Sequence, residues 1–482
     1  MIPELCPTKN IHFIGVGGTG MSGLAMIMHS MGFKVSGSDM NINKVTEDLV
    51  NRGIHVFYVH NSANIPGDTQ LVVKSAAIPD DNPEVYNSKA KNIPIVKYAQ
   101  LLGYIMDLKK GIAVAGTHGK TTTTSMLAYI FSQANLYPGY VIGGVVPQLK
   151  GSSSEGKSDY FIVEACEFDR SFLNLRPFYA IINNIEEDHL DYYKNMDEIL
   201  NAFNSFINNI QQGGTLFYSA SSLNIKKILG ANNNINKVSY GYETEADFTA
   251  SNYKFDKNGM MTYTINTPDN KQFKVKLKLF GMHNLINSLA AFAVAYSAGV
   301  LPESILSGLE TFEGVRRRFE IVYDNSYKIV DDYAHHPTEI KTVLKYARKK
   351  YKNNRIITVF QPHQHSRTRF LLNDFANSFS DADIIVVPDI YFVRDSEIEK
   401  KLISSRDLVR AIVKNKGNAF YIPSFVEIEK FLLDNIIEGD IIIFMGAGNI
   451  NEIAFGMKKT ITFDGDKKIE SDKTIKQKAC EI

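Results

Sequence analysis

Several things are scarce in this chain, and each scarcity removes a class of protein. There are 3 cysteines in 482 residues, Cys6, Cys166 and Cys480, widely separated and without metal-ligand spacing. That excludes a disulfide framework or a cysteine-built zinc site and favours a reduced, cytoplasmic setting. Charge of one sign is scarce too. Lys and Arg total 53 against 52 for Asp and Glu, a net charge of +1, so no basic nucleic-acid footprint is expected. No run reaches the roughly 18 apolar residues of a membrane span, so no membrane partner is expected either. The N-terminus has no basic segment leading into an apolar stretch, hence no expected signal peptide. No solenoid-length repeat recurs.

What remains is ordinary globular composition, 44% hydrophobic and 22% charged. At roughly 100–200 residues per domain, the length suggests about three domains, each with enough material for its own core. The pattern agrees. A strand-like Ile11–Val16 meets a glycine-rich turn, a helical stretch over Met21–Met31, and a short strand, Lys34–Ser36, ending at Asp39. Leu71–Lys74 reads as a further strand. A second strand–turn–helix begins at Gly111–Ala115 and continues into a helix over Thr121–Gln133, with strands at Tyr160–Glu164 and Ala180–Asn183. From about Ala246 to Phe280 the runs alternate around Asn258-Gly259, a tight-turn dipeptide. They read as antiparallel hairpins inserted beside a parallel sheet, followed by a helix over Asn284–Ala298. A third alternation starts near Val315, with strands at Lys328–Asp332, Ile356–Phe360, Ile384–Pro388 and Ile441–Met445. Strand–helix alternation three times over predicts an α/β protein of three doubly wound domains. These are 1–107, 108–312 (with the antiparallel insertion) and 313–458, before a polar tail, 459–482, expected to be poorly ordered.

The strongest motif is Gly116-Thr117-His118-Gly119-Lys120-Thr121-Thr122, between a strand and a helix. Glycines there let backbone N–H groups turn toward phosphates, and the helix N-terminus adds positive potential. Lys120 can reach β/γ-phosphates and Thr121 can ligate Mg²⁺, although Val114 stands where the strict phosphate-loop pattern wants glycine. The alternative is a bland Gly/Thr-rich turn. Gly15-Val16-Gly17-Gly18-Thr19-Gly20 also sits between strand and helix, with Asp39 ending the next strand. It suits the diphosphate of NAD or of a UDP-sugar, or simply close helix–strand packing.

Other candidates lie after predicted strands, where open α/β sheets meet their ligands. Glu164 and Glu167 suit a Mg²⁺ site, since that ion takes one or two carboxylates plus substrate phosphates; a solvated acidic loop is the alternative for Glu167. Cys166 reads as a small buried filler. His189 lies among carboxylates, with a metal or phosphate role balanced against a structural one. Asn284 and Asn287 share a helix face and could read a base, or Asn284 could cap the helix. Arg316-Arg317-Arg318 is either a solvated linker or a source of cations for a transferring phosphate. Asp332 could bind a ribose, Pro337 suits a first helical turn, and the His335-His336 pair lacks the partners of a zinc site. Arg367 or Arg369 could clamp a carboxylate in a fork.

Taken in order, GxGGTGMSG, GTHGKTTTTS, EACEFD, EEDHLD, HNLINS, GVRRRFE, DDYAHHPTE and FQPHQHSRTR resemble the Mur ligase family over about residues 10–450. The resemblance is to the branch that adds L-alanine to UDP-N-acetylmuramate, with a tripeptide-recycling branch close by. It implies a cytoplasmic, ATP- and Mg²⁺-dependent amide-bond-forming ligase of peptidoglycan precursor synthesis, working through an acyl phosphate. By motif, Gly17, Gly18, Gly20, Met21, Ser22 and Asp39 would hold the UDP-sugar. Gly116, Thr117, Gly119, Lys120, Thr121, Thr122, Asn284, Asn287 and Asp332 would hold ATP, and Thr121, Glu164 and His189 the metal. His335, Arg367 and Arg369 would lie near the amino acid, and Lys120, His189 and Arg318 would serve catalysis. Cys166 and Ala334 stand where many relatives carry Asp and Gly, and His365 where an aromatic residue is expected. The competing readings are an NAD-dependent oxidoreductase, resting on Gly15–Gly20 and Asp39, and a non-catalytic nucleotide switch.

Overall fold

The computed structural model describes residues 2, 4–189, 192–230, 234–256, 260–393, 395–415 and 417–464. The chain divides into two compact units, one of residues 1–188 and 192–315, the other from Arg316 onward together with His189.

The first unit holds two sheets. Strands β1 (Asn10–Ile14), β2 (Lys34–Ser38), β3 (His55–Phe57), β4 (Thr69–Lys74) and β5 (Ile95–Lys97) form a parallel sheet in the order β3-β2-β1-β4-β5. Helices α1 (Thr19–Ser30), α2 (Lys44–Asn51), α3 (Pro83–Ala90) and α4 (Tyr98–Asp107) connect and follow them. The strand order reverses between β1 and β4, which opens a crevice beside the glycine turn after β1.

The second sheet contains β6 (Lys110–Ala115), β7 (Gly139–Val146), β8 (Gly151–Ser154), β9 (Tyr160–Glu164), β10 (Tyr179–Ile182), β11 (Thr215–Ser219), β12 (Asn236–Tyr242), β13 (Phe248–Phe255), β14 (Met261–Asn266) and β15 (Gln272–Leu277). Among the described residues they run β15-β14-β13-β12-β11-β10-β6-β9-β7-β8. Helices α5 (Lys120–Gln133), α6 (Met196–Asn208), α7 (Leu223–Ile228), α8 (Met282–Ser297) and α9 (Pro302–Thr311) belong to this part. The antiparallel hairpins expected in this part are present, at the edge of the sheet. β13 pairs parallel with β12 and antiparallel with β14, so the hairpins prolong the central sheet itself. Asn258-Gly259 lies outside the described residues.

The apolar run of β6 is buried from Gly111 to Ala115, as a parallel strand covered on both faces must be. α5 follows it, and its Thr123, Thr124 and Ser125 are buried as well. Its hydroxyls are satisfied internally: Thr124 Oγ1 donates to Lys120 O at 2.8 Å and Ser125 Oγ to Thr121 O at 2.6 Å. α8 packs against α5 through a buried, alanine-rich stretch, Leu289–Ala295. One apolar cluster, including Leu24, Met28, Leu102, Phe172 and Phe203, spans both sheets of this unit.

The second unit contains β16 (Glu320–Asp324), β17 (Lys328–Asp332), β18 (Ile356–Phe360), β19 (Ile384–Val387), β20 (Ala419–Tyr421) and β21 (Ile441–Met445), ordered β16-β17-β21-β18-β19-β20. β16 precedes the strand expected to open this region and pairs antiparallel with it. Its helices are α10 (Pro337–Lys350), α11 (His365–Phe370), α12 (Leu372–Ala376), α13 (Glu397–Leu402), α14 (Ser405–Lys414), α15 (Phe425–Asn435) and α16 (Asn451–Asp464). α16 carries helix into the start of the expected polar tail; the tail beyond it lies outside the described residues. α10 begins as its sequence suggests, with Pro337 in the first turn, His336 capping Thr338 N, and Glu339 closing a capping box.

Candidate active site

The loop after β6 is shaped by two glycines. Gly116 has φ +132° and Gly119 φ +81°, and a Cβ on Gly119 would come within 2.4 Å of Asn287 Oδ1. Only glycine accommodates both conditions. The loop is braced from β10 and the residues after it. His118 N donates to Asn184 Oδ1 at 2.8 Å, and Asn183 Nδ2 donates to Thr123 Oγ1 at 3.2 Å. Tyr240 OH in turn donates to Asn183 Oδ1 at 2.9 Å. Glu186 N donates to Thr117 Oγ1 at 2.8 Å.

Lys120 opens α5 and folds back over the loop. Its ammonium donates to Gly116 O at 2.5 Å and Thr117 O at 3.1 Å, and lies 3.0 and 2.9 Å from the two oxygens of Glu167. Burial works against its charge, but the Glu167 carboxylate outweighs it and holds the ammonium above its ordinary pKa. Thr121 Oγ1 donates to Glu164 Oε2 at 3.1 Å, and Gly143 N donates to Glu164 Oε1 at 2.5 Å. A hydroxyl and a carboxylate beside a glycine loop at a helix start form an all-oxygen donor pair of the kind Mg²⁺ takes, so these residues fit that ion.

Glu167 is thus no solvated acidic loop: it is buried and engaged with Lys120. Cys166 differs from its expected role as buried filler, because it is exposed. Desolvation of the sulfur by the protein around it, then the Glu167 carboxylate, push its thiol up to about 11, which leaves little thiolate at neutral pH. Asn287 reaches the loop, whereas Asn284 turns back to donate to Phe280 O at 2.8 Å. The cap of α8 is Gly281, so Asn284 lies inside the first turn and caps nothing. His189 follows Asp188 directly with φ +52° and groups with the second unit.

The other glycine turn is built differently. Ser38 O accepts from Gly15 N at 2.8 Å and Val16 N at 3.0 Å, and Asp39 Oδ2 accepts from Gly17 N at 2.8 Å. Gly18 caps α1, and a Cβ on Gly20 would meet the Tyr98 ring at 2.9 Å. Met21 is buried among apolar side chains, and Ser22 Oγ donates to Thr19 O at 3.0 Å.

In the second unit, Asp332 is buried and accepts from Phe319 N and Ala334 N, both at 2.7 Å. Burial raises its carboxyl to about 6 against the pull of Arg318. Arg318 lies 3.9 Å from Glu339 and over the Tyr333 ring. His335 Nδ1 is 3.3 Å from Glu339 Oε2. Arg367 is buried with Nη1 3.3 Å from His363 Nδ1, and His363 stacks on Tyr391. The fork of Arg369 is engaged by Glu399 at 2.9 and 2.8 Å. His365 lies with its ring 3.3 Å from Asp395. Sequence reasoning passed over Asn183, Asn184, Tyr98, Asp395 and Glu399. Only the asparagines carried a signal, as polar residues directly after a buried strand.

The arrangement is that of a nucleotide-dependent α/β enzyme, and the comparisons with known proteins narrow it. Residues 10–110 match the family model described as Mur ligase family, catalytic domain; 114–295 match the Mur ligase middle domain; and 317–448 match the Mur ligase, glutamate ligase domain. The chain belongs to the Mur ligase family. It is 44% identical over 453 residues to the UDP-N-acetylmuramate–L-alanine ligase of Agathobacter rectalis, covering 93% of this chain and 98% of that protein. It is 42% identical over 448 residues to the enzyme of the same name from Clostridium acetobutylicum, covering 92% and 96%. Among solved structures it resembles the UDP-N-acetylmuramate-alanine ligase of Thermotoga maritima, with a TM-score of 0.79 at 28% identity, covering 95% of this chain and 100% of that one. It also resembles a murein peptide ligase from Psychrobacter arcticus, with a TM-score of 0.74 at 27% identity, covering 94% and 98%. The oxidoreductase reading falls with these matches. No helix among the described residues is long and apolar enough to cross a membrane.

Proposed function

We propose that this chain is an ATP-dependent ligase that joins L-alanine to the carboxylate of UDP-N-acetylmuramate, an early step in building peptidoglycan precursor in the cytoplasm. The observation that carries the reading is the placement of Lys120 over the glycine loop, gripped by Glu167, with the Thr121–Glu164 pair alongside. Free carboxylates do not react with amines in water, so the acid must first acquire a leaving group. A carboxylate oxygen attacks the γ-phosphorus of ATP, the bond to the β–γ bridging oxygen breaks, and ADP departs. The amine nitrogen of L-alanine then attacks the acyl carbon. The C–N bond forms, the C–O bond to phosphate breaks, and the amine proton passes to a base.

Phosphoryl transfer asks chiefly for positioning and charge stabilisation. Lys120 supplies a cation that stays protonated, and Gly116, Thr117, Gly119, Thr121 and Thr122, at the loop and the start of α5, would hold the phosphates of ATP. Thr121 and Glu164, with His189 by family resemblance, would hold Mg²⁺, which neutralises phosphate oxygens when bound. Arg318 serves as a further cation, and Asn284, Asn287 and Asp332 as nucleotide contacts, on the same resemblance. Gly17, Gly18, Gly20 and Asp39 take the UDP-sugar. Met21 contributes through its first-turn backbone, since its side chain is buried, and Ser22 through the same first turn of α1, where its hydroxyl bonds Thr19 O. Arg367 and His335 face the amino acid's share of the work, while the fork of Arg369 is already met by Glu399. Residues 1–107, 108–312 and 313–458 then serve the sugar nucleotide, ATP and the amino acid respectively.

The test is phosphate release from ATP and Mg²⁺ with UDP-N-acetylmuramate, with and without L-alanine. Release that requires all components supports the reading. Release with a muropeptide tripeptide but not with L-alanine would move the chain to the recycling reaction, which the resemblance to the murein peptide ligase keeps in view.

A further inference from the structure

The first sheet hides a carboxylate that nothing above employs. Glu84 follows Pro83 and the Asn82 cap in the first turn of α3, and it is 0% exposed. Ser38 Oγ donates to its Oε2 at 2.5 Å, and Asn64 Nδ2 donates to its Oε1 at 2.6 Å. Asn61 N reaches Oε1 at 3.3 Å, while His12 Nε2 and His60 Nδ1 lie 3.6 and 3.5 Å from Oε2. His12 extends the network: its Nδ1 lies 2.8 Å from Ser36 Oγ, which donates to Asn10 Oδ1 at 2.9 Å. One side chain therefore gathers β1, β2, the segment after β3 and the short 3-10 turn Ser62–Asn64 around itself. Burial opposes its charge, yet the contacts from His12, Ser38 and Asn64 hold its carboxyl below the ordinary range. Buried charge is costly unless it is met this fully, and such networks fix geometry.

The geometry fixed here is that of the glycine turn. Ser38 is the last residue of β2, and its own carbonyl takes Gly15 N and Val16 N. The next residue, Asp39, takes Gly17 N. An unbroken series of hydrogen bonds thus runs from Glu84 through Ser38 to the turn.

We propose that Glu84 is a positioning residue for the sugar nucleotide: its buried carboxylate holds the end of β2, and so Asp39 and the glycine turn, in the form that receives the ligand. This rests on the reading of that turn as the UDP-sugar site. A merely structural carboxylate would lower melting temperature and active fraction when replaced, but leave KM alone. A positioning one raises KM for one substrate selectively.

The experiment is steady-state kinetics on full-length Glu84→Gln and Ser38→Ala, varying UDP-N-acetylmuramate, ATP and L-alanine in turn. The amide in Glu84→Gln presents a donor where Ser38 or Asn64 needs an acceptor. KM for the sugar nucleotide should rise about 10-fold, with those for ATP and L-alanine within about 2-fold. Ser38→Ala removes only the linking hydroxyl and should raise the same KM about 3-fold. It decides the matter if Glu84→Gln does not fold. An unaltered sugar-nucleotide KM in Ser38→Ala, or a parallel rise in all three KM values, overturns the proposal. Calorimetric titration of the wild-type protein with UDP-N-acetylmuramate separates the two levels. No binding sinks the reading of the site itself, whereas binding with unaltered KM values in the variants sinks only the positioning role.

Discussion

The two glycine turns stand at equivalent places, each between a central parallel strand and the helix that follows, yet they are equipped for different work. The turn after β1 carries no cation; its Gly17 N–H is held by a carboxylate, Asp39, from the neighbouring strand. The turn after β6 places Lys120 and Thr121 at its helix start and receives Glu164 from the end of β9 and Glu167 from just beyond it. A helix N-terminus offers an anion partial charge and N–H groups in both cases. Whether the anion is merely held or reacts is decided by what the adjacent strand brings. A diphosphate that is only gripped needs no lysine. A phosphoryl group in transfer develops charge that a fixed cation must meet.

That contrast breaks most visibly at Lys120. Lys120→Ala should lower the rate of phosphate release by about 1000-fold while leaving UDP-N-acetylmuramate affinity, read by calorimetry, within about 2-fold. Comparable loss of both would mean that the two turns are not separate devices. The glycines sharpen the comparison at a smaller scale. Gly119→Ala forces a Cβ to 2.4 Å from Asn287 Oδ1 at φ +81°, and should cost about 1–3 kcal/mol of stability by thermal unfolding and raise KM for ATP. Gly17→Ala meets Asp39 Oδ2 at 2.8 Å and should raise KM for the sugar nucleotide instead. Interchanged effects would refute the assignment of ligands to turns.

The smallest effect is in pH. Glu84, which supports the first turn, has a folded pKa below its unfolded one. Its contribution is complete above the unfolded value, about 4.3, and is lost as pH falls through the folded value. Lys120, in the second, has a folded pKa above its unfolded one. Its contribution is complete below about 10.4 and is lost as pH rises through the folded value. Across pH 3 to 6 the melting-temperature advantage of the wild-type protein over Glu84→Gln should therefore shrink toward acid.

Much of this was legible in the residues. Tyr160–Glu164, Lys328–Asp332, Ile356–Phe360 and Ile441–Met445 run as strands over the spans their apolar runs suggest, because a parallel strand buried on both faces has little freedom of composition. Both glycine turns were visible for a related reason, since their backbone excludes side chains. Sheet order was not legible. Periodicity reports which residues are buried, not which strand lies alongside, so the approach of Glu167 to Lys120 and of Asn183 to Thr123 had to be seen. The same holds for the hairpins β13–β15, whose alternating pattern is equally compatible with a separate lobe or a longer sheet. The Glu84 network was invisible because its members, at 12, 38, 60, 64 and 84, are individually ordinary polar residues. The pairing of Arg369 with Glu399 depends likewise on α11 meeting α13, which no local motif states.

The strand order around β6 also governs when the site can exist during synthesis. β6 ends at Ala115, but its flanking strands are β9, at 160–164, and β10, at 179–182. When the ribosome has released only the loop and α5, Lys120 has neither Glu167 to face nor asparagines to hold the turn's shape. A nascent chain displays the complete phosphate loop only after roughly seventy further residues have emerged, at a few seconds per stretch of that length or longer. Phosphate binding by arrested nascent chains would thus begin no earlier than β10, with Asn287 joining only when α8 has emerged, making the loop a reporter of how far the central sheet has assembled.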